Sequence, residues 1–161
     1  MTGIRARMNQ KETQSVMVWR TLNDMALMMY FLTDHPLFFH NVGFYTFHKD
    51  TLSSIDYINN VFWLLNAMLD IFVSVADLKA AKEKLLKLSA KVKQATQDEL
   101  QQLKAELRTQ KQLFFKILLN IIRNACDIPV IFYFMKHGGS QTVSGFLGTC
   151  SSMISLYGLY G

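Results

Sequence analysis

Only two cysteines and two prolines occur in 161 residues, and charged side chains make up just 18% of the chain. Cys126 and Cys150 lie in apolar helical contexts without CxxC spacing. That excludes a disulfide framework or a thiolate zinc site and leaves two small apolar fillers. There is no glycine-rich phosphate loop, no His-Glu-x-x-His and no nucleophile elbow, and the serine-rich C-terminal stretch holds no histidine or acid to activate a hydroxyl. Catalysis is therefore not expected, and no cofactor is implied. His35, His40 and His48 are the one cluster that invites a metal, but intervals of five and eight match no zinc motif and no Cys or Glu completes a set. They read instead as histidines at a membrane interface. A basic start followed by a continuous apolar run and a small-residue cleavage site is also lacking, so a secretory signal is not expected. Arg5, Arg7 and Lys11 with Thr2, Thr13 and Ser15 resemble a short remnant of a mitochondrial presequence, against which Glu12 stands. The final Leu-Tyr-Gly is no peroxisomal matrix address.

What the chain has in abundance is apolar mass. Half of its residues are hydrophobic, which favours a membrane protein of a single domain over residues 1–161. The pattern is nearly symmetric about one point. Residues 61–78 (VFWLLNAMLDIFVSVADL) are apolar, 79–111 highly charged, and 113–135 (LFFKILLNIIRNACDIPVIFYFM) apolar again. This predicts an all-α fold built on a long antiparallel helical hairpin, with arms at about 57–95 and 97–135. Thr96 and Glu99 form a Thr-x-x-Glu capping box, which starts a new helix and places the turn. The first arm's apolar part, 18 residues, spans roughly 27 Å as helix, close to the ~30 Å hydrocarbon thickness.

Folding the chain there pairs Asp77 with Lys116, Asp70 with Arg123 and Asn66 with Asp127, and the numbers of each pair add to the same total. Asn66, Asp70 and Asp77 share one helix face; Lys116, Asn120, Arg123 and Asp127 share another. Charges in apolar helices cost a few kcal/mol each unless paired or turned from lipid, so these seven residues predict a polar seam between the arms. The seam reads as a device that sets register, with a proton or solute path as the other reading.

The charge is equally localised. Residues 79–111 carry nine Lys or Arg against four acids, and the remainder balances at eight against eight. No aromatic residue lies between Lys79 and Gln112, so a nucleic acid would find no stacking platform there. A solvated membrane-side face is expected, with lipid as partner and no nucleic acid. Leu78, Ala81, Leu85, Leu88 and Val92 can zip against Leu100, Leu103 and Leu107 beyond the lipid.

Before the hairpin, residues 16–34 read as an amphipathic or short buried helix, with Arg20, Asn23 and Asp24 as its narrow polar face. Pro36 is expected to stop it. Residues 35–56 then form an aromatic interfacial segment interrupted by Gly43, with Ser53 or Ser54 capping the first hairpin arm. Pro129 should kink the second arm, and the stretch 136–139 breaks it. The final stretch, 140–160, has no charge and predicts a small-residue transmembrane helix. In it Ser140, Ser144, Gly148 and Ser152 recur at intervals of four. Small residues at that spacing let another helix approach closely, whether the protein's own hairpin or a second molecule.

Several of these residues also recur in a familiar order. Asp34-His35-Pro36-Leu37 is followed by Asn41-Val42-Gly43, by Asn60-Val61-Phe62-Trp63-Leu64-Leu65, by Arg123-Asn124-Ala125-Cys126-Asp127-Ile128-Pro129, and by a C-terminal run from Gly145 through Gly148 and Ser152 to Tyr157. Together they resemble the peroxin eleven family of peroxisomal membrane elongation and division factors, over about residues 16–160 and with a shortened N-terminal region. The resemblance implies a peroxisomal membrane location and a role in peroxisome size and number through membrane remodelling and self-association. It carries Asp34, His35, Trp63, Arg123, Asp127, Pro129, Gly145, Gly148, Ser152 and Tyr157 as family-motif positions. With only about fifteen residues before Val16 to supply the family's amphipathic helix, a second expectation is a structural subunit of a large complex of the mitochondrial inner membrane. A third is an oligomeric solute channel. Partners on these readings are lipid, further copies of the chain or subunits of a membrane complex.

Overall fold

The computed structural model describes residues 14–94, 97–136 and 138–160, and all four of its elements are helices: α1 (Gln14–Asn41), α2 (Lys49–Gln94), α3 (Gln97–Phe134) and α4 (Gln141–Tyr160). No strand occurs among the described residues. The chain divides into two compact units, 1–73 and 74–161, with the boundary inside α2.

In the first unit α1 runs antiparallel to the start of α2. Asn59 Nδ2 donates to the Tyr30 carbonyl and to Thr33 Oγ1, both at 3.0 Å, and seven residues further along α2 Asn66 Nδ2 reaches Asn23 Oδ1 at 2.9 Å. The equal step on both helices is what a shared antiparallel seam requires. Trp19 packs edge-on against Phe72, and Tyr30 lies against Trp63. Ala26 and Ala67 are the small buried residues that allow the close approach.

The end of α1 corrects the sequence reading. Pro36 does not stop the helix but lies inside it, and α1 continues to Asn41. A proline inside a helix removes a single backbone donor, and the surrounding turn remains helical, with the Thr33 hydroxyl on the Met29 and Tyr30 carbonyls and the His35 ring on the Phe31 carbonyl. The stop is Gly43, at φ +75°. Its N–H donates to the His40 carbonyl, and the Phe44 N–H reaches back to the Phe39 carbonyl, each at 3.0 Å. This is a Schellman ending, and the apolar contact that accompanies such endings is present as the Phe39–Phe44 ring pair at 5.6 Å. Residues 35–56 divide into the end of α1, a short link and the start of α2. The link is tied by the Phe47 N–H on His40 Nδ1 at 3.2 Å.

The second correction concerns where α2 begins. It starts at Lys49, with the Leu52 N–H bonded to the His48 carbonyl, and Ser54 lies inside the helix with its hydroxyl on the Asp50 carbonyl. His48 holds the capping position that the sequence assigned to Ser53 or Ser54. Asp50 in the first turn adds a favourable charge to the helix N-terminus.

The second unit holds the rest of α2 together with α3 and α4. The two hairpin arms form as expected; the capping residue Thr96 lies outside the described residues. Antiparallel pairing appears in Asn120 Nδ2, which donates to Ser74 Oγ at 3.1 Å, and in Lys84 and Glu106, 4.0 Å apart. Ala81 and Leu88 are buried while Lys82, Lys84 and Lys87 point to solvent, as a zipped pair with a charged exterior demands. Pro129 is accommodated within α3. After α3, Lys136 takes a left-handed conformation at φ 59° and Gly138 and Gly139 keep positive φ, which turns the chain so that α4 packs back along α3.

Candidate functional site

The interior mixes apolar residues, among them Ala67, Val73, Val130 and Ile131, with polar ones, while many large apolar side chains lie outside. Among the described residues the buried set includes Asn59, Asn60, Ser74, Gln110, Asn124, Ser144 and Ser151, while Phe31, Leu32, Phe38, Met68, Phe72, Phe115, Phe132 and Phe146 are among the exposed side chains. Two helices are long and apolar enough to cross a membrane, over Lys49–Lys93 and Glu99–Phe134, and only 17% of each apolar window is buried inside the protein. A core helix of a soluble protein would be mostly buried, which these two windows are not. By composition α4 is not among them, since its Ser, Thr and Gly dilute its hydropathy.

The polar residues predicted to form one seam are distributed over several contacts. In the first unit Asn66 and Asp70 both meet Asn23 of α1, Asn66 at 2.9 Å and Asp70 at 3.5 Å. The sequence had singled out Asn23 only as part of a narrow polar face; its partnership with α2 was missed. The available signal was the seven-residue step shared by Asn23 and Tyr30 on one helix and Asn59 and Asn66 on the other.

In the second unit Asn120 meets Ser74, and Asp127 lies beside Ser151 of α4 with Arg123 one turn away on α3. Ser151, absent from the predicted set, is buried at 6% exposure. Arg123 also donates to Asn124 Oδ1 at 3.3 Å. Lys116 is exposed, and Asp77 is half-buried.

The small-residue helix presents part of its predicted face to α3. Ser144 is buried, and a Cβ at Gly148 would stand 3.9 Å from Val130 Cγ2, so the helices approach to ordinary contact there. Ser152 is exposed and returns its hydroxyl to the Gly148 carbonyl, Ser140 is exposed, and Gly145 faces open space. Of the other family-motif positions, Trp63 lies tilted against Tyr30 and Tyr157 lies edge-on to Phe115, at 6.2 and 6.3 Å between ring centres. Asp34 is half-buried near the middle of α1's last turns, next to His35.

Between α3 and α4 a cavity of about 400 Å³ is lined by Lys116, Asn120 and Arg123 on one side and Ile154, Ser155 and Gly158 on the other. Among the described residues no group of three or more His, Cys, Asp or Glu side chains is placed to hold a metal ion. The arrangement offers lipid-facing apolar walls, internal amide and hydroxyl contacts, and one cationic groove.

Comparison with known proteins gives a single family. The sequence model described as Peroxisomal biogenesis factor 11 (PEX11) matches residues 2–160. No curated protein and no solved structure matches the chain.

Proposed function

The chain belongs to the PEX11 family of peroxisomal biogenesis factors, and from that premise we propose that it shapes or organises the peroxisomal membrane by helix packing and self-association, without catalytic turnover. The observation that carries this reading is the largely apolar exterior. Apolar helices α2 and α3 turn Met68, Phe72, Phe115 and Ile122 outward, and amides and hydroxyls are satisfied inside. Such a body is soluble in a bilayer and adds volume to it. In lipid, where hydrophobicity gives no drive for helices to associate, small residues left on an outer face supply close contact between copies. Gly145, Ser152 and Thr149 on α4 are exposed and meet that need.

The experiment is to remove the protein from its native cells and count and image peroxisomes, then restore the full chain and measure its chemical cross-linking in the isolated membrane. Altered peroxisome number or shape, corrected on restoration, together with cross-linked multimers, is the expected result. Unchanged peroxisomes with loss of a mitochondrial inner-membrane complex would replace this reading with that of a complex subunit.

A further inference from the structure

Helix α1 is not among the helices apolar enough to cross a membrane by composition, yet its packing on α2 carries it into one. We infer that α1 crosses the bilayer beside α2, with its outer face against lipid acyl chains. This crossing presupposes that α2 itself crosses, the membrane reading above, and is independent of the shaping role.

Register sets the depth. Asn59 meets Tyr30, Asn66 meets Asn23 and Phe72 meets Trp19, so α1 descends as α2 rises, residue for residue. The apolar stretch of α2 begins at Val61, two residues past Asn59. Tyr30 therefore stands at the edge of the hydrocarbon, and α1 from there back to Gln14 stands within it. That part of the helix is about 24 Å long, against a hydrocarbon thickness of ~30 Å. The Tyr30–Trp63 ring pair lies at the same edge, the level at which Trp and Tyr collect in membrane proteins.

The faces of α1 agree with that depth. An amphipathic helix lying on a membrane surface keeps its polar face toward water. In α1 that face is covered by α2: Asn23 is held by Asn66 and Asp70, and Arg20 Nε is buried. Asp24 follows Arg20 by one turn, the spacing at which opposite charges on a helix meet, and both residues are partnered. The Thr21 hydroxyl is returned to the Met17 carbonyl at 3.1 Å. What remains outside is apolar. Val18, Met25 and Leu32 recur at seven-residue steps on one face, exposed by 55, 55 and 58%, with Met17, Leu22 and Met28 beside them. The polar groups that lower the hydropathy of α1 are thus the ones turned from lipid, the arrangement a helix within hydrocarbon requires. Depth also names the occupant, because the medium opposite the apolar stretch of a crossing α2 is acyl chain. The link at 42–48 then lies on the side of the membrane opposite to the start of α1.

The test uses the full chain in phosphatidylcholine vesicles, with Cys126→Ala and Cys150→Ala in a background whose helicity matches the native chain. A nitroxide is attached to a single cysteine at Val18→Cys, Met25→Cys or Leu32→Cys in α1, or at Val61→Cys or Met68→Cys in α2. Its depth is read from collisions with oxygen and with a water-soluble nickel chelate. Val18 is expected to be deepest, Met25 about 10 Å shallower, and Leu32 shallower by about 10 Å again and among the headgroups, since seven helical residues rise by that distance. Met68 should lie about 10 Å deeper than Val61. A common depth for the three α1 labels, with the α2 pair separated, would overturn the crossing of α1 in favour of a helix lying along the surface. Val61 and Met68 at one depth would instead show that α2 does not cross and that the membrane reading itself fails. Should one α1 label disturb the fold, the other two still give the gradient.

Discussion

Asn66 on α2 donates its side-chain amide to Asn23 on α1 at 2.9 Å, and the Asn23 amide in turn points to Asp70 at 3.5 Å. One asparagine thus joins two residues a helical turn apart on the facing helix. Between helices in lipid this contact is one of the few directional forces available, with a typical worth of ~0.6 kcal/mol and a ceiling near 1.7.

Asn66→Leu is therefore expected to lower stability in detergent by about 1 kcal/mol, and Asn23→Leu by slightly more because it leaves two partners behind. The double substitution should cost less than the two single losses added together, since the second change removes a group already orphaned by the first. Thermal melting of the four variants in a common detergent measures the coupling. Strict additivity would mean that the amides act independently.

At the end of α1 the backbone, not packing, sets the cost of change. A Cβ at Gly43 would meet nothing within 4 Å, yet φ is +75°. Gly43→Ala should destabilise by ~1 kcal/mol from left-handed strain alone, and Gly43→Val by more. Pro36→Ala is expected to be neutral or stabilising, because it restores a helical N–H within α1. Circular dichroism melting compares the two. A loss at Pro36→Ala exceeding that at Gly43→Ala would show that the proline, rather than the glycine, defines this end.

The α3–α4 contact gives a graded series at Gly148. Gly148→Ala should be tolerated, because its Cβ would stand 3.9 Å from Val130 Cγ2. Gly148→Leu should push the helices apart and cost more than Leu147→Ala, whose side chain lies off the tightest approach. Melting, combined with the rate of cross-linking between cysteines placed at matched levels on the two helices, separates local separation from general unfolding. Equal tolerance of Gly148→Leu and Leu147→Ala would mean that this part of α4 faces lipid.

Ser151 and Asp127 yield a comparison by rescue. Ser151→Val removes the hydroxyl beside the carboxylate and should cost ~1–3 kcal/mol. Combining it with Asp127→Asn should recover part of that loss by removing the group most expensive to leave without that hydroxyl. The same melting assay reads both. No recovery in the double variant would indicate that Asp127 relies chiefly on Arg123.

The hairpin was legible because two apolar stretches flanking a charged one define both arms and the turn with long-range symmetry that few folds share. Its seam was less legible. Helical periodicity showed which polar residues share a face, but one face of α2 can be met by two different helices, and nothing in the spacing of Asn66 and Asp70 says that Asn23 will claim them. Ser151 escaped notice for a related reason: a serine among small residues carries no mark that it faces an acid. The end of α1 is set by Gly43 and not by Pro36. A proline lacks one donor and its ring crowds the carbonyl four residues back, yet a helix can continue past it, while a glycine in the left-handed region followed by an apolar residue completes a cap that satisfies two carbonyls.

The outward-facing apolar surface also determines where the chain stores its information. A lipid tail asks of a side chain only that it be apolar, so Met17, Met25, Met28 and Met68, all exposed, could exchange identities among Leu, Met and Phe with little effect on the fold. No such freedom exists for Asn23, Asn59, Asn66 or Ser151, whose value lies in one atom being in one place. Drift would erase the greasy majority of the sequence first and leave a sparse text of amides, hydroxyls and glycines, spelling the same molecule in far fewer letters than its length provides.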